Sequence, residues 1–165
     1  MRSLFASAIL ASAAHAFSNS VPVYGTYPGW VNGKGQAGIT VEIFLDLMCS
    51  DSAANNPIWN EVLDTEWLGS TVRDHVYWAY TPVPLPYHVH AFQVTQVVPY
   101  LQAMCVQEAT CILNEYKDFC YAQLPTVESM LSTSQLDFQA YWAQQVSAEF
   151  GLDEAVLNSL YASGD

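Results

Sequence analysis

Residues 38–52 read Gly-Ile-Thr-Val-Glu-Ile-Phe-Leu-Asp-Leu-Met-Cys-Ser-Asp-Ser and contain the clearest strand signal in the chain. Apolar side chains alternate through residues 38–48, which is the period of a β-strand. One face of that strand carries Ile39, Val41, Ile43, Leu45 and Leu47. Phe44 and Met48 add apolar bulk to the other face, so the strand is predicted to be covered on both sides.

A helix is predicted directly after this strand. Ser and Asp are frequent at helix N-termini, and they fill positions 50–52. Ile58 and Val62 then repeat at helical spacing, and Pro57 is expected to kink or restart the helix. Cys49 therefore lies at the junction between a buried strand and a helix.

Such a junction suits thiol chemistry. Backbone N–H groups and the helix dipole stabilise a thiolate there, which can attack disulfides near neutral pH. Asp51 opposes this weakly, because it adds a negative charge nearby. Ser52 stands where the second cysteine of a Cys-x-x-Cys site would be, and its hydroxyl can hydrogen-bond a thiolate but cannot displace a disulfide partner. The alternative is that Cys49 packs as a small hydrophobic residue.

The rest of the chain is predicted to be mainly helical. A second strand is expected over residues 71–83, and helices over 92–104, 107–122, 134–150 and 153–161. Pro99 lies within the first of these helices. Leu124-Pro125-Thr126 is expected to break the chain before a short helix that starts at Thr126.

The ends and the composition indicate an exported single domain. The chain has 165 residues, of which 52% are hydrophobic and 12% charged, enough to bury a core. Residues 1–16 have the charge, apolar run and Ala-His-Ala ending of a secretory signal peptide, with a retained anchor as the alternative. Residues 17–37 are predicted to form an extended segment. No later apolar run is long enough to span a membrane, so no membrane contact is expected after cleavage.

The charge excludes some partners. Loss of the leader removes Arg2 and no acidic residue, which leaves three basic residues against 16 acidic ones. Such a surface repels phosphate backbones and anionic lipids, so neither nucleic acid nor a membrane surface is expected as a partner.

Four cysteines remain after cleavage, and in an oxidising compartment they could form two disulfides. If Cys49 is free, one of the other three should be free or paired between molecules. The six-residue spacing of Cys105 and Cys111 is awkward within one helix, so a bridge between helices that involves Cys120 is favoured. No zinc-type spacing is present, and neither a metal nor a bound cofactor is predicted.

His88 and His90 could form a metal pair or supply a base near Cys49, but solvated imidazoles in a Pro-rich turn are favoured. His75 has no partner signal. The five tryptophans and ten tyrosines are scattered over several elements, so core packing is favoured over a carbohydrate-binding face.

Two stretches are similar to a known family. Residues 41–52 resemble the strand, active-site turn and helix start of DsbA-like thioredoxin-fold proteins. Residues 84–92 resemble the segment that follows their second strand and opens an inserted helical domain. The resemblance covers about residues 38–161 and implies an α/β, thioredoxin-like fold, with its N-terminal part at 38–90 and the helical insertion at 91–165. It also implies that Cys49 is the attacking cysteine and that Ser52 occupies the resolving position.

The chain departs from this family in two respects. The resolving cysteine is absent, and the chain ends at Asp165, where the family continues with a cis-proline strand, a hairpin partner and a final helix. We therefore expect a C-terminally truncated sequence, or a sheet completed in a dimer. The predicted function is a monothiol thiol–disulfide oxidoreductase that acts on thiol- or disulfide-containing proteins, with glutathione as a cosubstrate. The alternatives are a non-catalytic thioredoxin-fold binding module and a glutathione-binding DsbA-like protein.

Overall fold

The computed structural model describes residues 29–33, 38–108 and 111–162, and these form a mixed α/β structure. The predicted signal peptide lies outside the described residues, as does the predicted N-terminal segment except for residues 29–33. In the described part of the chain, no helix is long and apolar enough to cross a membrane.

Two of the strands are seven residues long and the others are short. They are β1 (Trp30–Val31), β2 (Ile39–Leu45), β3 (Glu66–Trp67), β4 (Ser70–Thr71) and β5 (Val76–Pro82). The helices carry most of the chain, and they are α1 (Ser50–Asp64), α2 (Val72–His75), α3 (Ala91–Thr95), α4 (Val98–Glu108), α5 (Leu113–Glu128), α6 (Gln135–Phe150) and α7 (Glu154–Ala162).

The main sheet has the strand order β1-β5-β2. β5 is parallel to β2, in a register that runs from Ile39 opposite Val76 to Leu45 opposite Pro82, and β1 is antiparallel to β5. Because parallel neighbours need a crossover, the connection from β2 to β5 runs through α1. β3 and β4 form a separate two-stranded ladder within that crossover.

β2 confirms the predicted strand but is covered less completely than expected. The helical side of the sheet carries Trp78, whose ring centroid lies 5.5 Å from that of Trp59 in α1. Phe44 belongs to the alternate set of side chains and is 64% exposed, so the prediction of a strand covered on both sides is wrong there. The strand ends at Leu45, because the next residues turn toward α1.

The predicted second strand is interrupted. Thr71 ends β4 and caps α2, with its backbone N–H and its hydroxyl both donating to a carboxylate oxygen of Asp74. The seven-residue strand β5 begins only at Val76. The four-residue helix α2, started by this capping box, therefore replaces four residues of the predicted extended chain.

The prolines act differently from the prediction. α1 continues through Pro57 without a restart, and α5 continues through Pro125, where the sequence predicts a break. Leu124 and Val127 flank the second proline and are buried, so core packing maintains the helix across it. The predicted single helix over 92–104 is divided into α3 and α4, and Pro99 is the second residue of α4, where a missing N–H costs nothing.

The helical core is built around hydrogen-bonded aromatic side chains. The Tyr116 hydroxyl donates to the Val94 carbonyl at 2.6 Å and accepts from Trp142 Nε1 at 3.0 Å, which joins α3, α5 and α6. Phe138 stacks on Trp142 with ring centroids 5.8 Å apart. Trp30, Trp78 and Trp142 are all buried, which confirms core packing for these three tryptophans.

The last two helices agree with the prediction. Ser134 caps α6 by accepting a hydrogen bond from the Asp137 backbone N–H. Gly151 ends α6 with a φ of 68°, a left-handed conformation that favours glycine, and α7 follows three residues later.

The cysteine pairing differs from the favoured one. Cys105 and Cys111 form a disulfide with their Cα atoms 4.4 Å apart, whereas Cys120 is free and buried. The pair does not lie within one helix, because α4 ends at Glu108 and α5 begins at Leu113. The prediction of a bridge to Cys120 is therefore wrong.

Buried tyrosines make the fold sensitive to alkali. Burial raises the pKa of Tyr116, Tyr121 and Tyr161 above the ordinary value for a phenol. The folded chain then retains protons that the unfolded chain releases, so this stability is fully present below about pH 10 and is lost as the pH rises further. We expect each of the three to remove about 1 kcal/mol of unfolding free energy between about pH 10 and pH 11.

Urea denaturation with a tyrosinate absorbance readout measures this loss. Tyr161→Phe should reduce the loss of unfolding free energy at alkaline pH by the contribution of one buried tyrosine. Tyr87→Phe should not change this loss, because Tyr87 is 71% exposed. A loss of stability that is the same in both variants and in the parent chain would contradict the assignment.

Candidate functional site

Cys49 lies at the predicted junction. It is the N-cap residue of α1, it follows the turn after β2, and its side chain is partly exposed. Its carbonyl accepts the Ala53 N–H at 2.9 Å, and its own N–H donates to the Asp46 carbonyl at 3.2 Å. The thiol therefore lies at the positive end of a 15-residue helix.

Asp46 anchors the turn that presents Cys49. Its carboxylate is 1% exposed and accepts three hydrogen bonds: from the Met48 N–H at 2.7 Å, the Leu85 N–H at 2.6 Å and His88 Nδ1 at 2.9 Å. The Met48 donor follows β2, whereas the Leu85 and His88 donors follow β5. One buried carboxylate therefore holds the Cys49 turn against the segment after β5.

Neither histidine of the Pro-rich turn is freely solvated, so the favoured prediction for them is wrong. His88 bonds Asp46, and its side chain is 24% exposed. His90 is buried, stacks on Phe138 with centroids 3.8 Å apart, and bonds the Met130 carbonyl through Nε2. His75, for which no partner was predicted, bonds the Ser70 hydroxyl at 2.9 Å.

Ser52 lies on a cavity of about 290 Å³ between the sheet, α1 and α5, which we call the Ser52 cavity. Its lining includes Leu45, Asp51, Trp59 and Tyr121. Burial raises the pKa of Tyr121, nearby charge at Cys49 adds to this, and a hydrogen bond with Ser52 opposes it. Tyr121 and Ser52 therefore line the same cavity.

A buried lysine joins α5 to α1 beside this cavity. The Lys117 ammonium donates to Asn56 and, at 2.9 Å, to Asp118, and it lies over the rings of Tyr80 and Tyr121 at 5.2 and 5.9 Å from their centroids. Burial lowers the pKa of Lys117, and Asp118 partly opposes this. The lysine thus positions Tyr121 and keeps α1 close to α5.

A second cavity, of about 220 Å³, is lined by residues next to Cys49 in the chain, and we call it the His88 cavity. Met48 and Ser50, the two neighbours of Cys49, line it together with His88. The end of α5 supplies Leu124, Val127, Glu128 and, just beyond the helix, Leu131. Both immediate neighbours of Cys49 therefore line the His88 cavity, whereas Asp51 and Ser52 line the Ser52 cavity.

The two free cysteines of the described chain differ in their surroundings. Cys120 is completely buried in α5, and burial raises its pKa well above the ordinary value. Cys49 is partly exposed at a helix N-terminus. Of these two thiols, Cys49 is the one that a disulfide in solution can reach.

The sequence singles out Cys49 and Ser52, and it suggests His88 near them only as a disfavoured alternative. It gives no prediction for three other residues around them: Asp46, Lys117 and Tyr121. Asp46 offers a weak signal, because it is the one acidic residue among the otherwise apolar residues 43–48. Tyr121 and Lys117 offered none, since their proximity to Cys49 depends on how α5 packs. Among the described residues, no group of three or more His, Cys, Asp or Glu side chains could hold a metal ion.

Comparison of the chain with protein-family models, with curated proteins and with solved structures returned no match.

Proposed function

We propose that this protein exchanges thiols and disulfides through a single sulfur, with Cys49 as the nucleophile. The observation that carries the proposal is the contrast among the cysteines. Cys105 and Cys111 form a disulfide with each other, and Cys120 is buried in the core. Cys49 is free and partly exposed.

The chemistry follows from one sulfur at a helix N-terminus. The Cys49 thiolate attacks one sulfur of a disulfide, a new S–S bond forms, and the other sulfur leaves as a thiolate. Ser52 cannot attack the mixed disulfide, so an external thiolate must do so, which restores the Cys49 thiolate and creates a new disulfide. Glutathione and cysteine-containing proteins are the proposed partners.

The fold is compatible with a thioredoxin-like assignment, which we include in the proposal. A parallel β2–α1–β5 unit carries the cysteine where the strand ends and the helix starts. The resemblance of residues 41–52 and 84–92 to DsbA-like proteins supports the same assignment. We further propose that the chain is exported, since the Cys105–Cys111 disulfide suits an oxidising compartment.

Oxidised glutathione tests this proposal. The folded chain is treated with it under native conditions, digested at acidic pH and mapped by mass spectrometry. We expect one glutathione on Cys49, none on Cys120, and release of the adduct by reduced glutathione. Cys49→Ser is the matched control and should carry no adduct. The proposal would be contradicted if Cys49 stayed unmodified in the folded chain but was modified when the chain was unfolded in urea.

A non-catalytic binding module is the second candidate, and one observation favours it. Within the described residues, the outer edge of β2 has no strand partner, and Phe44 beside it is 64% exposed. Strand addition at such an edge would bind a client protein or complete a dimer. Client binding that survives in Cys49→Ala would favour this candidate, and light scattering would distinguish a client complex from a dimer.

A further inference from the structure

The His88 cavity contains a histidine whose orientation is fixed. The Asp46 carboxylate can only accept, so the hydrogen between it and His88 belongs to Nδ1. In the neutral imidazole, this leaves Nε2 as an acceptor. His88 lines the cavity, and among the described residues Nε2 has no hydrogen-bond partner.

The other polar groups of the cavity can also accept a hydrogen bond, although the hydroxyls of Ser50 and Tyr87 can donate one as well. Glu128 contributes a carboxylate and Ser50 a hydroxyl, and neither side chain has a hydrogen-bond or ion-pair partner in the described part of the chain. The remaining lining is mostly apolar, with Met48, Leu124 and Leu131 among its members. A ligand that matches this lining has an apolar body and a hydrogen-bond donor at its end.

The negative charge of the chain favours a ligand whose hydrogen-bond donor is a cation. The chain has a formal charge of −12 at neutral pH. The two basic side chains that the structure describes are engaged elsewhere, Arg73 with Asp64 and Asn32, and Lys117 with Asn56 and Asp118. No cation among the described residues therefore neutralises Glu128, and a carboxylate or phosphate at the cavity would be repelled.

We propose that the His88 cavity binds an amphipathic cation, with the apolar body between Met48 and the end of α5 and the ammonium group near His88 Nε2 and Glu128. The ammonium can belong to a small free amine or to a lysine side chain of a peptide. This binding requires no reaction at Cys49 and so stands apart from the proposed thiol chemistry.

Isothermal titration calorimetry of the full chain tests the proposal with three probes: 2-phenylethylammonium, N-acetyl-lysine amide and 3-phenylpropionate. The first two carry the cation on a free amine and on a peptide side chain. The third matches the first in size but is an anion. We expect at least one cation to bind with a Kd of about 1 mM or tighter, and the anion not to bind. The cation that binds more tightly shows whether the ligand is a free amine or a lysine side chain of a peptide.

Variants locate the binding. Glu128→Gln should raise the Kd of the cation roughly fivefold, as expected for the loss of one exposed ion pair. Glu115→Gln removes the same charge from an exposed position in the first turn of α5, and should leave the affinity unchanged. The ¹⁵N resonance of His88 Nε2 should shift on titration, and Cys49→Ser should bind as the parent chain does.

Three results would overturn the proposal: neither cation binds, the anion binds as well as its cationic match, or Glu128→Gln and Glu115→Gln behave alike. Each is separate from the glutathione experiment. Failure of Cys49 to form an adduct leaves the cation site intact, and absence of cation binding leaves the thiol chemistry intact.

Discussion

Replacement of Asp46 by alanine is expected to lower the free energy of unfolding by about 3–5 kcal/mol. The carboxylate is buried and accepts from the Met48 N–H, the Leu85 N–H and His88 Nδ1. Alanine would leave all three donors without this acceptor, and each buried unpaired donor carries a desolvation cost. Urea denaturation at neutral pH measures the effect.

Two variants provide the comparison. Asp51→Ala removes an exposed carboxylate from the first turn of α1, so it should cost less than about 1 kcal/mol. Asp46→Asn keeps one acceptor oxygen and should fall between the two alanine variants. Equal stability of Asp46→Ala and Asp51→Ala would show that the buried carboxylate does not hold the turn.

Replacement of Ser52 by cysteine should convert a lasting mixed disulfide at Cys49 into a transient one. Cys49 is the N-cap residue of α1 and position 52 is the third residue of the helix, a position toward which N-cap side chains reach. A thiol there attacks the mixed disulfide within the molecule, so we expect release roughly 100-fold faster than by an external thiol at about 1 mM. The product is an intramolecular disulfide between Cys49 and the sulfur introduced at position 52.

Quenched-flow alkylation and mass spectrometry follow the adduct over time. Ser52→Ala is the matched control: it removes the hydroxyl without adding a sulfur, so its adduct should last as long as that of the parent chain. Persistence of the glutathione adduct in Ser52→Cys would mean that position 52 does not face the Cys49 sulfur, which would remove the basis for assigning Ser52 to the resolving position.

Elements with a strong local pattern were predicted well. β2 follows from the alternation of apolar side chains, α1 from the Ser-Asp-Ser start, and α6 from Ser134 at one end and Gly151 at the other. In each case the residues that specify the element lie inside it or next to it. Neighbouring residues interact whatever the rest of the chain does, so such signals survive in the folded protein.

Prolines and short connections were predicted less well, because packing outweighs local preference there. Pro125 was expected to end a helix, yet α5 passes through it with Leu124 and Val127 in the core. The cost of one lost hydrogen bond is smaller than the stabilisation from burying both side chains. The interrupted second strand shows the opposite case, where the local bonds between Thr71 and Asp74 outweigh β propensity.

Local pattern was sufficient to place Cys49 at the end of a strand and the start of a helix, and to show that Ser52 offers no second sulfur. It could not reveal that Asp46 bonds His88, 42 residues away, or that Lys117 reaches Asn56, 61 residues away. Those contacts and the two cavities beside Cys49 depend on how α1, α5 and the segment after β5 pack together. The Cys105–Cys111 pairing depends on where α4 ends and α5 begins. Residues that are far apart in the sequence can be neighbours in the folded chain, and their spacing along the chain does not show which of them will be.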